Sequence, residues 1–387
     1  MRRVYFDNNA TTAVDPQVFE AMKPFFLEDF GNASSIHAFG QRARAVLEEA
    51  RRQVADLIGA QPQEIVFTSG GTESDNTALR GVATHLRERG NHIITSAIEH
   101  PAILRTCEQL EKEGFEVTYV PAAKNGLIKL DVLESAVKDQ TILLSVMYVN
   151  NETGTVQPLA RIAELARSRK IVFHTDAVQA VGKIPVDVKQ LGVDLLSLSS
   201  HKLHGPKGIG ALYVRRGVRF NPLLLGGPHE RSRRAGTENV PGIIGLGKAC
   251  ELARQNLSDF DTRVRGLRDR LENTVLEKIP DSSVNGSRTE RAPHVTNLSF
   301  RGTEGEALLI SLDFQGIAVS TGSACSSGSL EPSHVLRALG IPSDLIHGSI
   351  RFSLSRMSTG EDVDYVLDVL PKTIARMREM SPLYRER

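Results

Sequence analysis

Two hydrophobic periods alternate along the chain. Short apolar runs, Ile65-Val66-Phe67, His92-Ile93-Ile94-Thr95, Leu143-Leu144-Ser145-Val146, Ile171-Val172-Phe173 and Leu195-Leu196-Ser197-Leu198, are mostly flanked by polar turn residues. Runs of this kind, without strict polar alternation, fit strands buried on both faces. Between them lie longer segments of helical spacing; in Pro158 to Lys170 the apolar positions are Leu159, Ile162, Ala163, Leu165 and Ala166. The alternation predicts crossover helices over a mainly parallel sheet, an α/β fold. From about Ser258 the charge density rises, and Asp261 to Lys278 reads as one amphipathic helix with Val264, Leu267, Leu271, Val275 and Leu276 on its apolar side. A domain boundary is expected there. Beyond it, the segments Val295 to Phe300, Ile317 to Ser320 and Ile350 to Leu354 read as strands of a smaller α/β layer, with helices from Ser333 to Leu339 and Asp362 to Met377.

A chain of 387 residues with 40% hydrophobic and 24% charged content can bury two cores. Its 47 Lys and Arg against 46 Asp and Glu leave a net charge of +1. No long-range field gathers nucleic acid or anionic lipid, so a bound anion must be met by local groups. The cysteines Cys107, Cys250 and Cys325 form no CxxC pair and no disulfide framework, which fits a reducing, cytoplasmic setting. No stretch approaches the ~20 apolar residues of a membrane span, and no secretory signal is read at the start.

Four residue groups stand near the ends of the expected strands, where open α/β sheets place ligands. Thr68-Ser69-Gly70-Gly71-Thr72-Glu73-Ser74 joins a strand to a helix expected to start near Asp75, and its glycines and hydroxyls suit a phosphate. His174-Thr175-Asp176-Ala177-Val178-Gln179 places a carboxylate after a strand, with Gln179 on the same side if the chain turns helically. Ser199-Ser200-His201-Lys202-Leu203-His204-Gly205-Pro206 carries a lysine just past a buried strand, where partial desolvation eases imine formation with an aldehyde. Thr321-Gly322-Ser323-Ala324-Cys325-Ser326-Ser327-Gly328 sets a thiol among residues too small and polar to pack a core, a candidate nucleophile or carrier. Cys107 and Cys250, in helix-period stretches, read as small buried hydrophobes. Each group also has a plain reading: a structural turn, a capping Asp with a surface Gln, a solvated loop lysine, a chance surface thiol. Together they make a coherent set for one cofactor, pyridoxal 5'-phosphate.

At these residues the sequence resembles the cysteine desulfurases of nitrogen fixation and iron-sulfur-cluster assembly, a branch of the fold-type I, class V aminotransferase enzymes. The similarity includes Tyr5-Phe6-Asp7-Asn8-Asn9-Ala10-Thr11-Thr12, the Ser69 to Ser74 turn, Glu99-His100-Pro101, Val149-Asn150-Asn151-Glu152-Thr153-Gly154, the Asp176 and Lys202 segments, Arg234-Ala235-Gly236-Thr237-Glu238-Asn239, and Gly322 to His334. It implies a large cofactor-binding domain over 14–259, with a mainly parallel central sheet flanked by helices. A small α/β domain, made of 1–13 and 260–387, would carry the cysteine loop.

The resemblance further implies that Lys202 bonds the cofactor aldehyde and later moves the Cα proton. Asp176 would keep the pyridine nitrogen protonated, Gln179 would bond the phenolic oxygen, and His100 would stack on the ring and share in proton transfer. Gly71, Thr72, Ser199 and His201 would hold the phosphate, together with Thr237 from a second subunit of a homodimer. Arg351 and Asn151 would bind the substrate carboxylate. Cys325 thiolate would attack the sulfur of L-cysteine, leaving L-alanine and a persulfide for an iron-sulfur scaffold or another acceptor protein. A selenocysteine lyase or a class V aminotransferase on the same fold is the alternative, and Cys325 argues against the latter. A non-catalytic sulfur carrier would have no need of Lys202.

Overall fold

The computed structural model describes residues 2–321, 332–381 and 384. A short strand, β1 (Val4–Tyr5), precedes a seven-stranded sheet of β2 (Ile65–Thr68), β3 (His92–Ser96), β4 (Glu116–Val120), β5 (Thr141–Ser145), β6 (Val172–Asp176), β7 (Leu195–Ser199) and β8 (Gly210–Val214). Their spatial order is β2-β8-β7-β6-β5-β3-β4. The pairs among β4, β3, β5, β6 and β7 are parallel, as the apolar runs require. Only β8 is antiparallel to its neighbours, β2 and β7. The connection 200–209 between β7 and β8 is too short for a crossover helix, so the chain must return in the opposite direction.

The helix after β2 spans Gly71–His85 and starts four residues before the expected Asp75. Its first turn is closed early because the Glu73 carboxylate accepts the Ser69 N–H at 2.8 Å. The segment expected as a separate helix from Asp261 is instead the end of a longer one. Helix Val240–Asp259 passes through a π-helical turn, Phe260–Val264, into Arg265–Lys278. Nothing between Ser258 and Arg265 is a helix breaker, so the hydrogen bonding continues and the turn only rotates the apolar stripe. Before the turn, Ile243, Leu246, Ala249 and Cys250 face the core under the large sheet. After it, Phe260, Val264, Leu271 and Val275 face a second core. Close contact with helix Ala38–Ile58 depends on Gly247, where a Cβ would fall 2.7 Å from the Ala50 Cα.

The second core is covered by a three-stranded antiparallel sheet in which β10 (Val295–Phe300) lies between β9 (Ser282–Val284) and β12 (Ser349–Ser353). The expected strand Ile317 to Ser320 is shorter, β11 (Ile317–Ala318), and pairs in parallel with β1. Ser320 still bridges to Arg351, and Asp7 bridges to Ser353. The amino-terminal segment therefore runs along this second sheet and delivers residues 7–10 to the edge of the large one. Helix Gly360–Met380, capped by the Thr359 and Asp362 side chains, closes the outside.

Candidate active site

The carboxyl ends of β5, β6 and β7 open onto a cavity of about 740 Å³. Ten of the residues singled out from the sequence line it: Gly71, Thr72, His100, Asn151, Asp176, Gln179, Ser199, His201, Lys202 and Arg351. Thr237 does not, and on this chain it is exposed. Cys325 lies outside the described residues. A recess of similar volume at the other end of the sheet is rimmed by Arg89, Arg167, Lys170, Arg215 and Arg219, and has neither the lysine nor the histidines of the first.

Lys202 ends a single 3-10 turn, Ser200–Lys202, that follows β7 directly. Its Nζ donates to the carbonyls of Asn9 at 2.5 Å and Ala10 at 2.7 Å. Asp176 is the last residue of β6, one position earlier than a loop placement, and its Oδ1 accepts the Val178 N–H at 2.9 Å. Burial raises its pKa, an effect countered by His100, the Val178 N–H and Lys202. The chain then turns helically, with Val181 N–H donating to the Ala177 carbonyl at 3.0 Å, and Gln179 comes round to the same cavity. Its Nε2 donates to the Asn9 carbonyl at 3.0 Å and its Oε1 accepts from Lys183 Nζ at 2.5 Å.

His100 caps helix Pro101–Lys112, its Nδ1 accepting the Ala102 N–H at 3.1 Å. That acceptance leaves the ring proton to Nε2, and burial lowers the pKa, against a rise from Asp176. Beside it, His334 Nε2 donates to the Glu99 carbonyl at 2.9 Å. At the phosphate-type turn, Gly71 and Thr72 are the first helical residues, with N–H groups that have no intrahelical acceptor. Gly71 has no space for a side chain, since a Cβ would sit 2.8 Å from Val178 Cγ2. The His201 ring, 3.1 Å from Thr11 Oγ1, is pushed down to about 4, chiefly by burial and then by Lys202.

Arg351 lies on β12 and is 2% exposed, so it is not a solvent-side arginine. Its Nη1 donates to the Asn151 carbonyl at 3.1 Å and its Nη2 to Asp7 Oδ1 at 2.7 Å, while Nε has no partner among the described residues. Two guanidinium edges thus meet the cavity wall between the two sheets.

Sequence reasoning gave no role to several groups the fold places here. Asn9 is a junction: its carbonyl accepts from Gln179 and Lys202, its Nδ2 donates to the Asn151 carbonyl, and its Oδ1 meets His294 Nε2 at 2.9 Å. Asp75, one turn into helix Gly71–His85, is buried in the wall of the same cavity as Asp176, and its Oδ1, 3.6 Å from His174 Nε2, has no hydrogen-bond partner among the described residues. Burial, then repulsion from Asp176, drives its pKa well up. Glu99, buried and accepting from Ser96 Oγ at 2.5 Å and the Met147 N–H at 2.9 Å, is raised to about 8 by burial. Asn9 and Glu99 stand in the quoted motifs and Asp75 directly follows one, so their placement was open to inspection; their contacts were not.

The cavity combines a helix-start anion cradle, a buried carboxylate, a glutamine amide, a lysine at a strand end and a buried arginine. Residues 4–366 match the aminotransferase class-V family, and the chain belongs to it. Within that family it is 55% identical over 382 residues to "Cysteine desulfurase IscS" of Methanosarcina thermophila, covering 99% of this chain and 94% of that protein. Among solved structures, "NIFS-LIKE PROTEIN" superposes with a TM-score of 0.92 at 40% identity, covering 97% of this chain and all of the other. "SspA in complex with cysteine" superposes with a TM-score of 0.81 at 38% identity, covering 91% and 98%. The class V aminotransferase family is dependent on pyridoxal 5'-phosphate, and the α/β fold expected from the sequence is the one observed.

Proposed function

We propose that the chain is a pyridoxal-phosphate-dependent cysteine desulfurase that converts L-cysteine to L-alanine and a persulfide on Cys325, for delivery to iron-sulfur-cluster assembly. The observation that carries this reading is the meeting of Lys202, Asp176 and Arg351 in one cavity from three separate elements. Curated relatives carry the name cysteine desulfurase, and one similar solved structure, SspA, is described in complex with cysteine.

The residues fit the cofactor. Asp176 is a buried carboxylate whose desolvation a cationic ring nitrogen would offset. The unaccepted N–H groups of Gly71 and Thr72, with Ser199 and His201, form a cradle for a phosphate at the start of a 15-residue helix. When bound, pyridoxal 5'-phosphate supplies an aldehyde for amine exchange and a ring that takes up the electron pair left at Cα.

In this reading Lys202 holds the cofactor and, once displaced by substrate, accepts and returns the Cα proton through Nζ. Gln179 donates toward the phenolic oxygen. His100, with Nε2 carrying the ring proton, stacks over the ring and shares in proton transfer. Arg351, with Asn151, receives the substrate carboxylate and so fixes which bond of cysteine points to Cys325. The Cys325 thiolate attacks the substrate sulfur; the new S–S bond replaces the Cβ–S bond, and alanine leaves.

Thr237 reaches the site of a second copy in a homodimer. In support, Phe26, Leu27, Phe30, Ile36 and Phe39 are all more than half exposed, with Ile36 at 91%, an apolar patch of the kind a second subunit covers. The division into a large domain, 14–259, and a small one, 1–13 with 260–387, is supported by the separate cores on either side of Phe260. No helix among the described residues is long and apolar enough to cross a membrane, and a cytoplasmic site of action is part of the proposal.

The test is direct. Purified protein loaded with the cofactor should be yellow and should release alanine and sulfide in equal amounts from L-cysteine with a reductant present. Alanine without sulfide, or sulfide with pyruvate, would sink the reading.

A further inference from the structure

The described interior holds a second lysine close to the first, and it has no acidic partner. Lys183 is 4% exposed, and its single hydrogen bond among the described residues is the one its Nζ donates to Gln179 Oε1 at 2.5 Å. The charged and titratable groups coupled to it are Lys202, His201 and His204 from the turn after β7, Arg351 from β12, and His294 before β10, and Arg356 lines the same recess. All are basic. A lysine in such surroundings is costly to keep as an ammonium. Burial, with Lys202 and Arg351 adding to it, holds its pKa well below the usual value. An uncharged lysine still carries N–H donors, so the bond to Gln179 persists whichever form is present.

The backbone sets up this contact. The helical turn from Ala177, with Ile184 N–H donating to the Ala180 carbonyl at 3.0 Å, puts positions 179 and 183 on one side. Gly182, at φ +76°, then lets the chain press against the neighbouring helix, where a Cβ would come 3.1 Å from the Ala253 Cβ.

We infer that Lys183 is a positioning residue: by holding the Gln179 oxygen from behind, it turns the Gln179 amide so that its NH2 faces the cavity. An amide can flip, exchanging a donor for an acceptor in the same place. One NH2 hydrogen is already used by the Asn9 carbonyl, which accepts from Lys202 as well. The other has no acceptor among the described residues, and Gln179 lines the cavity. With the Asn9 carbonyl accepting on one side and Lys183 donating on the other, both bonds of Gln179 are made only when its oxygen faces Lys183, and the cavity is presented with a donor.

This inference rests on the proposed cofactor chemistry, in which that donor serves the phenolic oxygen. A donor there draws negative charge from the oxygen and loosens the proton shared between it and the Lys202 nitrogen. Lys183→Met, which keeps the length and removes the donor, should therefore raise the pH midpoint of the visible absorbance of the loaded, resting enzyme by roughly half a unit or more. In a Gln179→Ala background the same substitution should leave the midpoint where Gln179→Ala alone puts it, because there is no amide left to orient. Lys183→Gln, an uncharged side chain with an amide donor, should stay close to wild type and serves if the methionine variant does not fold. An unchanged midpoint in Lys183→Met, a shift that persists without Gln179, or a Lys183→Gln shift as large as that of Lys183→Met would overturn the assignment, the last two pointing to charge alone. The two readings fail separately: wild-type protein that takes up no cofactor refutes the desulfurase proposal, whereas a yellow, active wild type with an indifferent Lys183 refutes only this one.

Discussion

Arg351 and Asp7 form an ion pair at 2.7 Å, so the arginine proposed to receive the substrate carboxylate already faces a carboxylate of the chain. The pair is unequal: the Arg351 side chain is 2% exposed, whereas that of Asp7 is 19% exposed and stands at the solvent side. Asp7 therefore both aims the guanidinium and competes with substrate for its charge. Asp7→Asn keeps an oxygen to accept from Nη2 and removes the competing charge. KM for L-cysteine should fall by roughly two- to fivefold with kcat little changed, the range expected from a partly exposed pair. A KM that rises would mean that Asp7 acts only to hold Arg351. By contrast, Arg351→Lys should raise KM while leaving the spectrum of the resting enzyme alone, since a point charge cannot replace a planar fork.

Lys202→Ala removes the amine that meets the carbonyls of Asn9 and Ala10 at the mouth of β7. The variant should fold, because the turn Ser200–Lys202 is held by backbone bonds such as Leu203 N–H to the Ser200 carbonyl. Turnover should drop by at least the roughly 10²- to 10⁴-fold expected for loss of a proton-transfer group. Borohydride should no longer fix the cofactor to the chain. Peptide mass spectrometry decides; a reduced adduct on another lysine moves the assignment there.

The large sheet was legible because parallel strands buried on both faces leave unbroken apolar runs such as Leu143-Leu144-Ser145-Val146, and no side-chain detail is needed to see them. The two strands not anticipated fail that description for different reasons. Glu116–Val120 is an edge strand with only Val120 buried, so its polar residues mask it. Gly210–Val214 is fully buried, but it follows a Gly-Pro turn and runs antiparallel, outside the expected rhythm. The helix start was misplaced by Glu73, whose side chain reaches back to Ser69, and the helix from Asp261 was misread because a π-helical turn is silent in periodicity. Site residues were legible where one segment held them all, as around Asp176 and Lys202. Asn9 was not, since what it does depends on Asn151, Gln179, Lys202 and His294, brought to it from as far as 285 positions away. Lys183 reads in sequence as a surface lysine after a glycine, and only packing reveals it as buried.

His174, two residues before Asp176 on β6, is fully buried between Ser145 Oγ at 2.9 Å and Ser197 Oγ at 3.0 Å, and burial pushes its pKa down to about 3. A base whose folded pKa lies below its unfolded value of about 6.5 stabilises the fold fully above that value. The contribution is lost as pH falls toward 3, because the unfolded chain takes up a proton that the folded one refuses, at about 1.4 kcal/mol per pH unit. His174→Asn retains partners for both serines and has nothing to titrate. Between pH 6 and 4 the unfolding free energy of the cofactor-free variant should therefore fall less steeply than wild type, by about one proton. Parallel slopes in urea titrations across that range would show that His174 is already protonated in the folded protein.

Cys325→Ser separates substrate binding from sulfur transfer. The substitution exchanges one sulfur for an oxygen within the Gly-, Ser- and Ala-rich run 322–329 and leaves the side chains of Lys202, Asp176, Gln179 and Arg351 in place. L-Cysteine should still shift the visible absorbance of the loaded variant. The sulfur should go no further, because a serine hydroxyl is un-ionised at neutral pH and a poor nucleophile toward sulfur, whereas a thiol of pKa about 8.5 has a usable thiolate fraction. The other two cysteines offer no substitute: Cys107 and Cys250 are both buried, and burial drives their thiols far up in pKa. In the wild type, brief exposure to L-cysteine followed by alkylation and peptide mass spectrometry should show one extra sulfur on the Cys325 peptide and none on the peptides of Cys107 and Cys250. The serine variant should show none anywhere. If it nevertheless releases alanine and sulfide at the wild-type rate, Cys325 is not the nucleophile, and the lyase or transaminase alternative replaces the desulfurase.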